Sequence, residues 1–184
     1  MNAAVFTLKP IRDLANKGFK PSALLKMEQD AYMQARMALP DAPPEVIAQE
    51  AENNLPKGDL LHSYYTQTLS RLMTATLREV TDMADQISLK ASALEAAYVR
   101  KLASNQDVSL AEKAKLQGAV AQEYATMLAI AQDLEERNII TVAQAPRLQS
   151  LTEQPDGPLL DVYQKAIAIL NERQQQASRQ RLHT

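Results

Sequence analysis

The chain has no cysteine and no tryptophan, only two phenylalanines, and four glycines in 184 residues. Without cysteine there is no disulfide framework, thiolate metal site or cysteine nucleophile, and the composition fits a reducing compartment. Four scattered glycines cannot supply the many turns of a sandwich or barrel of short strands. Nor can they assemble a phosphate-cradling loop, a nucleophile elbow or a dinucleotide fingerprint. No stretch approaches the roughly 18 consecutive apolar residues of a membrane-spanning helix. The apolar run within residues 1–20 is too short and too interrupted for a signal peptide, so the expected compartment is the cytoplasm. The formal charge of −2 disfavours bulk nucleic acid as the main partner, because such proteins need a basic face to displace counterions.

What is present points to helices. The apolar fraction is 46%, enough for a core in a chain of this length, and Ala, Leu, Gln and Met, all good helix formers, are abundant. Breakers crowd the first third: Gly18, Pro21, Pro40, Pro43, Pro44, Pro56 and Gly58; no proline then follows until Pro146. Pro21 suits the first turn of a helix carrying Leu24, Met27, Ala31, Ala35 and Ala38, which Leu39-Pro40 stops. Pro43 starts a shorter helix with Val46, Ile47 and Ala51, closed by the loop Asn53 to Gly58.

From Asp59 to Asn105 neither Gly nor Pro occurs. Apolar positions there follow steps of four, four and three: Leu61, Tyr65, Leu69, Leu72, Thr76, Val80, Met83, Ile87, Ala91, Leu94, Tyr98 and Leu102, with only Thr76 off-type. This repeat stays close to 3.6 residues per turn, so it predicts one straight amphipathic helix over 59–105, about 65–70 Å long, unless Ser88 to Ser92 breaks it. A capping box, Ser109-Leu-Ala-Glu112, opens a second helix predicted over 109–138, with Leu116, Val120, Tyr124, Met127, Ala131 and Leu134 on one face. Gly118 in its middle suggests a close helix approach. The short connection predicts an antiparallel hairpin. A short helix is expected near Arg147 to Leu151, and Pro158 opens a last one with Leu159, Leu160, Val162, Tyr163, Ala166, Ile167, Ile169 and Leu170. The expected fold is all-α: an elongated bundle around one very long helix, with shorter N- and C-terminal helices. Its parts are N-terminal helices and Pro-rich loops (1–58), a bundle core (59–172) and a polar basic tail (173–184).

The residues offer little catalytic chemistry. His62 and His183 fit no metal-ligand spacing, and His62 reads as a surface side chain beside Tyr64 and Tyr65. Glu79, Asp82 and Asp85, and Asp133, Glu135 and Glu136, stand at helical spacing that could hold a cation, but they read first as solvated faces paired in part with Arg78, Lys90 and Arg137. No catalytic, cofactor-binding or metal residues are assigned, and the chain is read as not an enzyme, without cofactor. Tyr64, Tyr65, Tyr98, Tyr124 and Tyr163 read as packing groups before a base-stacking surface. Met27, Met33, Met37, Met73, Met83 and Met127 read as core fillers before a partner groove.

A helix of about 27 residues cannot cover one of about 45, and a bare apolar stripe is unusual on a soluble monomer. The expected function is therefore that of a protein–protein interaction module: an adaptor, chaperone, secretion-accessory or assembly protein, bacterial or phage-borne, meeting a protein partner or a second copy. Its expected contact residues are Leu61, Tyr65, Leu69, Leu94, Tyr98 and Leu102. An alternative is an oligomeric nucleic-acid-associated factor whose tail residues Arg173, Arg179 and Arg181 touch phosphates. A third reading is an enzyme with a carboxylate-held cation. The spaced-arginine C-terminus also resembles export signals of some substrates of bacterial type IV secretion systems, which would imply a secreted helical substrate or effector.

Overall fold

The computed structural model describes residues 5–104, 109–136 and 153–182. These residues form seven helices and no strands: α1 (Lys9–Asn16), α2 (Pro21–Ala38), α3 (Pro44–Asn54), α4 (Asp59–Leu72), α5 (Leu77–Ser104), α6 (Leu110–Glu136) and α7 (Pro158–Leu182). The all-α expectation holds. The helix expected near Arg147 to Leu151, together with Asn138, lies outside the described residues.

Proline sets several starts. Pro10, Pro21 and Pro44 occupy the first turns of α1, α2 and α3, where a missing N–H costs nothing and φ is already helical. Pro158 does the same for α7. Ser109 caps α6 as its spacing implies, its Oγ accepting the Glu112 N–H at 3.2 Å.

The expected single rod from Asp59 to Asn105 is two helices, interrupted at residues 73–76 and continuous through Ser88 to Ser92. The C-terminal turn of α4 tightens into three-residue bonds, from Met73 N–H to Ser70 O, Thr74 N–H to Arg71 O and Ala75 N–H to Leu72 O. Such bonds take up carbonyls that an ending helix leaves free. Thr76 then begins α5: its Oγ1 accepts the Glu79 N–H and its carbonyl accepts the Val80 N–H, both at 3.2 Å. Thr76-Leu-Arg-Glu79 has the spacing of a capping box. The one off-type member of the apolar stripe is off-type because it starts a helix.

The chain divides into two compact units, Phe6–Met83 and Met1–Val5 with Ala84–Thr184. The boundary falls inside α5, away from the 58/59 division expected from breakers. In the first unit α2 is the hub, packing against α1, α3 and α4. Its core holds Ile11, Leu14, Leu24, Leu25, Met27, Ala31, Ile47, Ala51 and Leu72. Helix α1 was not foreseen, since its eight residues carry only Ile11 and Leu14 inward and are too few to show a period.

In the second unit α5 and α6 touch, but α6 and α7 are the most extensively apposed pair. Ile87, Ala91, Leu94 and Tyr98 of α5, Val120, Tyr124, Met127, Ile130 and Leu134 of α6, and Val162, Ala166 and Leu170 of α7 are buried. Lys165 Nζ donates to the buried Gln117 Oε1 at 2.7 Å across the α6–α7 seam. Among the described residues nothing lies within 4 Å of where a Cβ of Gly118 would stand, so it mediates no close helix approach there. The tail expected from 173 onward is instead the last turns of α7, helical to Leu182 and exposed over residues 171–179.

Candidate functional site

The six expected contact residues separate. Leu94 and Tyr98 are buried within the second unit, so they do not present apolar surface to a partner. Leu102 is half-buried, as are Leu61, Tyr65 and Leu69 on α4. Tyr65 is engaged in its own unit: its ring stands edge-on to Phe19 at 4.8 Å, and its hydroxyl accepts the Lys20 N–H at 2.9 Å. The exposed His62 also meets the Phe19 ring, at 5.0 Å. With Leu72, Val80, Met83, Ile87 and Ala91 buried as well, the stripe is largely covered by the chain itself. Breaking it at 73–76 lets each half pack separately, and the geometric argument for an obligatory partner along it fails.

Exposed apolar surface lies elsewhere. Met73 is 76% exposed and Leu77 is 51% exposed, flanking the elbow between α4 and α5. On α2, Met33 and Met37 stand one turn apart and are exposed, although both read as core fillers; they lie on the side of α2 away from Leu24, Ala31 and Ala35. Met27, Met83 and Met127 are buried as expected. Burial also gives Tyr98 and Tyr124 to packing.

The polar interior of the second unit contains two linked groups. Tyr124 donates its hydroxyl to Glu95 Oε1 at 3.2 Å, and its ring meets Tyr163 at 6.4 Å. Burial raises the Glu95 carboxyl above its ordinary range, and the Tyr124 hydrogen bond partly opposes this. Burial, then the neighbouring Glu95 charge, pushes the Tyr124 phenol well above its ordinary value. The second group surrounds Val5. The buried Val5 donates its N–H to Glu123 Oε2 at 2.8 Å, and its carbonyl accepts from Lys90 Nζ at 2.5 Å.

Of the three tail arginines, the exposed Arg173 is tied to α6: its guanidinium donates to Gln122 Oε1 at 2.6 Å and Thr126 Oγ1 at 3.1 Å. Partial burial lowers its pKa, opposed by the Glu123 charge. Arg179 is exposed, and the side chain of Arg181 lies outside the described residues. Glu79 and Asp82 are exposed and Asp85 is half-buried. Among the described residues no group of three His, Asp or Glu side chains could hold a metal ion, and no helix is long and apolar enough to cross a membrane.

A scan against family models, a search of curated proteins and a search of solved structures each return no match.

Proposed function

We propose that this chain is a non-enzymatic protein–protein interaction module whose contact surface is the elbow between α4 and α5. The supporting observation is the run from Met73 to Glu79, exposed except at half-buried Ala75 and carrying Met73 and Leu77 outward. Large apolar side chains in solvent gain free energy when a partner covers them, at roughly 25 cal/mol per Å2. Adaptor, chaperone, secretion-accessory and assembly roles all use such contacts.

A photo-cross-linking residue at the exposed Thr74, in cells of the native source, tests this. The expected result is an adduct of fixed mass that disappears when Met73→Glu and Leu77→Gln are added, with helicity unchanged. Absence of an adduct, together with a monomer mass by light scattering at every concentration, would remove the proposal. The nucleic-acid reading is less supported, because Arg173 already serves α6.

A further inference from the structure

Between residues 86 and 99 of α5, every exposed residue is uncharged: Leu89, Ser92, Ala93, Ala96 and Val99. Leu89 is 61% and Val99 42% exposed, while Ile87, Ala91, Leu94 and Tyr98 on the opposite side of the helix are buried. A helix side that meets only water normally carries charged residues, and apolar residues gathered there mark a contact surface. This stretch lies wholly within the second unit. Leu89, Ser92, Ala96 and Val99 follow steps of three, four and three, the spacing that seats one helix against another along a seam.

The run reads large, small, small, large. A half-turn about its middle brings Leu89 onto Val99 of a second copy and Ser92 onto Ala96, and the small pair lets the two helices approach closely. Charge decides the direction. Half-buried Asp85 stands one turn before Leu89, and exposed Arg100 directly follows Val99; among the described residues neither has an ion-pair partner. About 22 Å of helix separates them, so they do not meet within one chain. Antiparallel pairing brings Asp85 of each copy within a turn of Arg100 of the other, twice by symmetry, whereas parallel pairing sets like charges against each other. We propose that this face of α5 is the seam of an antiparallel homodimer, occupied by α5 of a second copy. The chain itself supplies the acidic end, the basic end and the apolar run between them in one self-complementary register, which favours a second copy over a foreign helix. The seam is only about four turns long, so the association is reversible. It shares no residue with the elbow proposed above, and either can fail alone.

Two full-length variants test it: Asp85→Arg sets arginine against arginine in the homodimer, and Arg100→Asp sets aspartate against aspartate. Circular dichroism on each checks folding. In sedimentation velocity from micromolar to millimolar concentration, wild type is expected to move toward twice the monomer mass. Each variant alone should associate on the order of tenfold more weakly, as two attractive pairs turn repulsive. Mixed in equal amounts, the two variants pair opposite charges again and should associate as wild type does. Because the chain has no cysteine, Leu89→Cys and Val99→Cys report direction: oxidation of their mixture should join unlike variants in excess over like ones. A monomer at every concentration, a dimer indifferent to both charge reversals, or disulfides confined to like variants overturns the proposal. Loss of dimer on Met73→Glu, with the charge reversals silent, would assign association to the elbow instead. A monomer whose residue 92, carrying a photo-cross-linker, captures a different protein would give the face to that partner and likewise overturn the homodimer.

Discussion

The carboxylate of Glu28 on α2 closes the beginning of α1 by accepting the Leu8 N–H at 3.2 Å. Its other oxygen accepts the N–H and the hydroxyl of Thr7, each at 3.1 Å. Leu8, the N-cap of α1, has no side-chain cap of its own, so a residue twenty positions along supplies it. Glu28 is 3% exposed, and its negative charge also faces the positive end of the α1 dipole.

Glu28→Ala should therefore lower unfolding stability by about 1–3 kcal/mol, the cost of leaving the buried Leu8 N–H unsatisfied, while the exposed Thr7 turns to water. Glu28→Gln, which keeps one acceptor, should lose less. Urea unfolding followed by circular dichroism gives both values; equal stability of Glu28→Ala and wild type would refute the trans cap.

At the elbow, Thr76→Ala removes the acceptor of the Glu79 N–H. An N-cap deletion of this kind costs about 1 kcal/mol, and amide exchange at Arg78 and Glu79 should accelerate while residues 84–104 remain protected. Unchanged exchange there would mean that the capping bond does not define the start of α5.

Two glycines should respond in opposite directions. Gly58 precedes α4 with φ 61° and ψ −133°, a region that side chains with a Cβ enter at a cost of about 1–3 kcal/mol. Among the described residues no atom lies within 4 Å of either added Cβ, so Gly58→Ala should destabilise through backbone strain alone. Gly118→Ala, in the middle of α6, should stabilise by about 0.5–1 kcal/mol. Thermal unfolding of both variants checks the contrast; a destabilised Gly118→Ala would restore a close approach at that position.

The sign of the pH effect at Glu95 follows from its raised pKa. Because the fold favours the protonated carboxyl, the contribution of this group to stability is fully present below its ordinary value of 4.5 and is lost as pH rises through the higher folded value. Glu95→Gln should therefore be more stable than wild type at neutral pH, and the advantage should vanish below the ordinary range. Tyr124→Phe removes the hydrogen bond that favours the carboxylate and should raise the Glu95 pKa further. Carboxyl-carbon NMR titration reads both effects; a Glu95 that titrates lower in Tyr124→Phe would reverse the assignment.

Tyr98 is completely buried, and its hydroxyl has no hydrogen-bond partner among the described residues. Tyr98→Phe should leave packing intact and gain about 1 kcal/mol, because an unsatisfied buried hydroxyl is removed. A loss of more than about 1 kcal/mol on chemical unfolding would show that the hydroxyl is satisfied after all.

Most helix starts were legible because they are local chemistry. Pro21 and Pro158 have φ suited to a first helical turn, and Ser109 offers its oxygen three residues before Glu112. The α4–α5 break was also written locally, in Thr76 and Glu79, but a regular apolar stripe obscured it. The extent of α7 was not legible: the polar run after Asn171 has no apolar face, yet it continues as helix, with Arg173 and Gln174 fastened to α6.

By itself, then, the sequence determined that the chain folds into helices and where most of them begin, because backbone dihedrals, missing N–H groups and side-chain caps act within a few residues. Only the tertiary structure decided which apolar side chains stay in water. Leu94 and Tyr98 vanish inside the second unit while Met33, Met37 and Met73 do not, since burial depends on which neighbour the chain brings back. The same holds for Glu28 at the start of α1 and for Lys90 and Glu123 around Val5. Charged groups far apart in sequence met main-chain partners that no periodicity could announce.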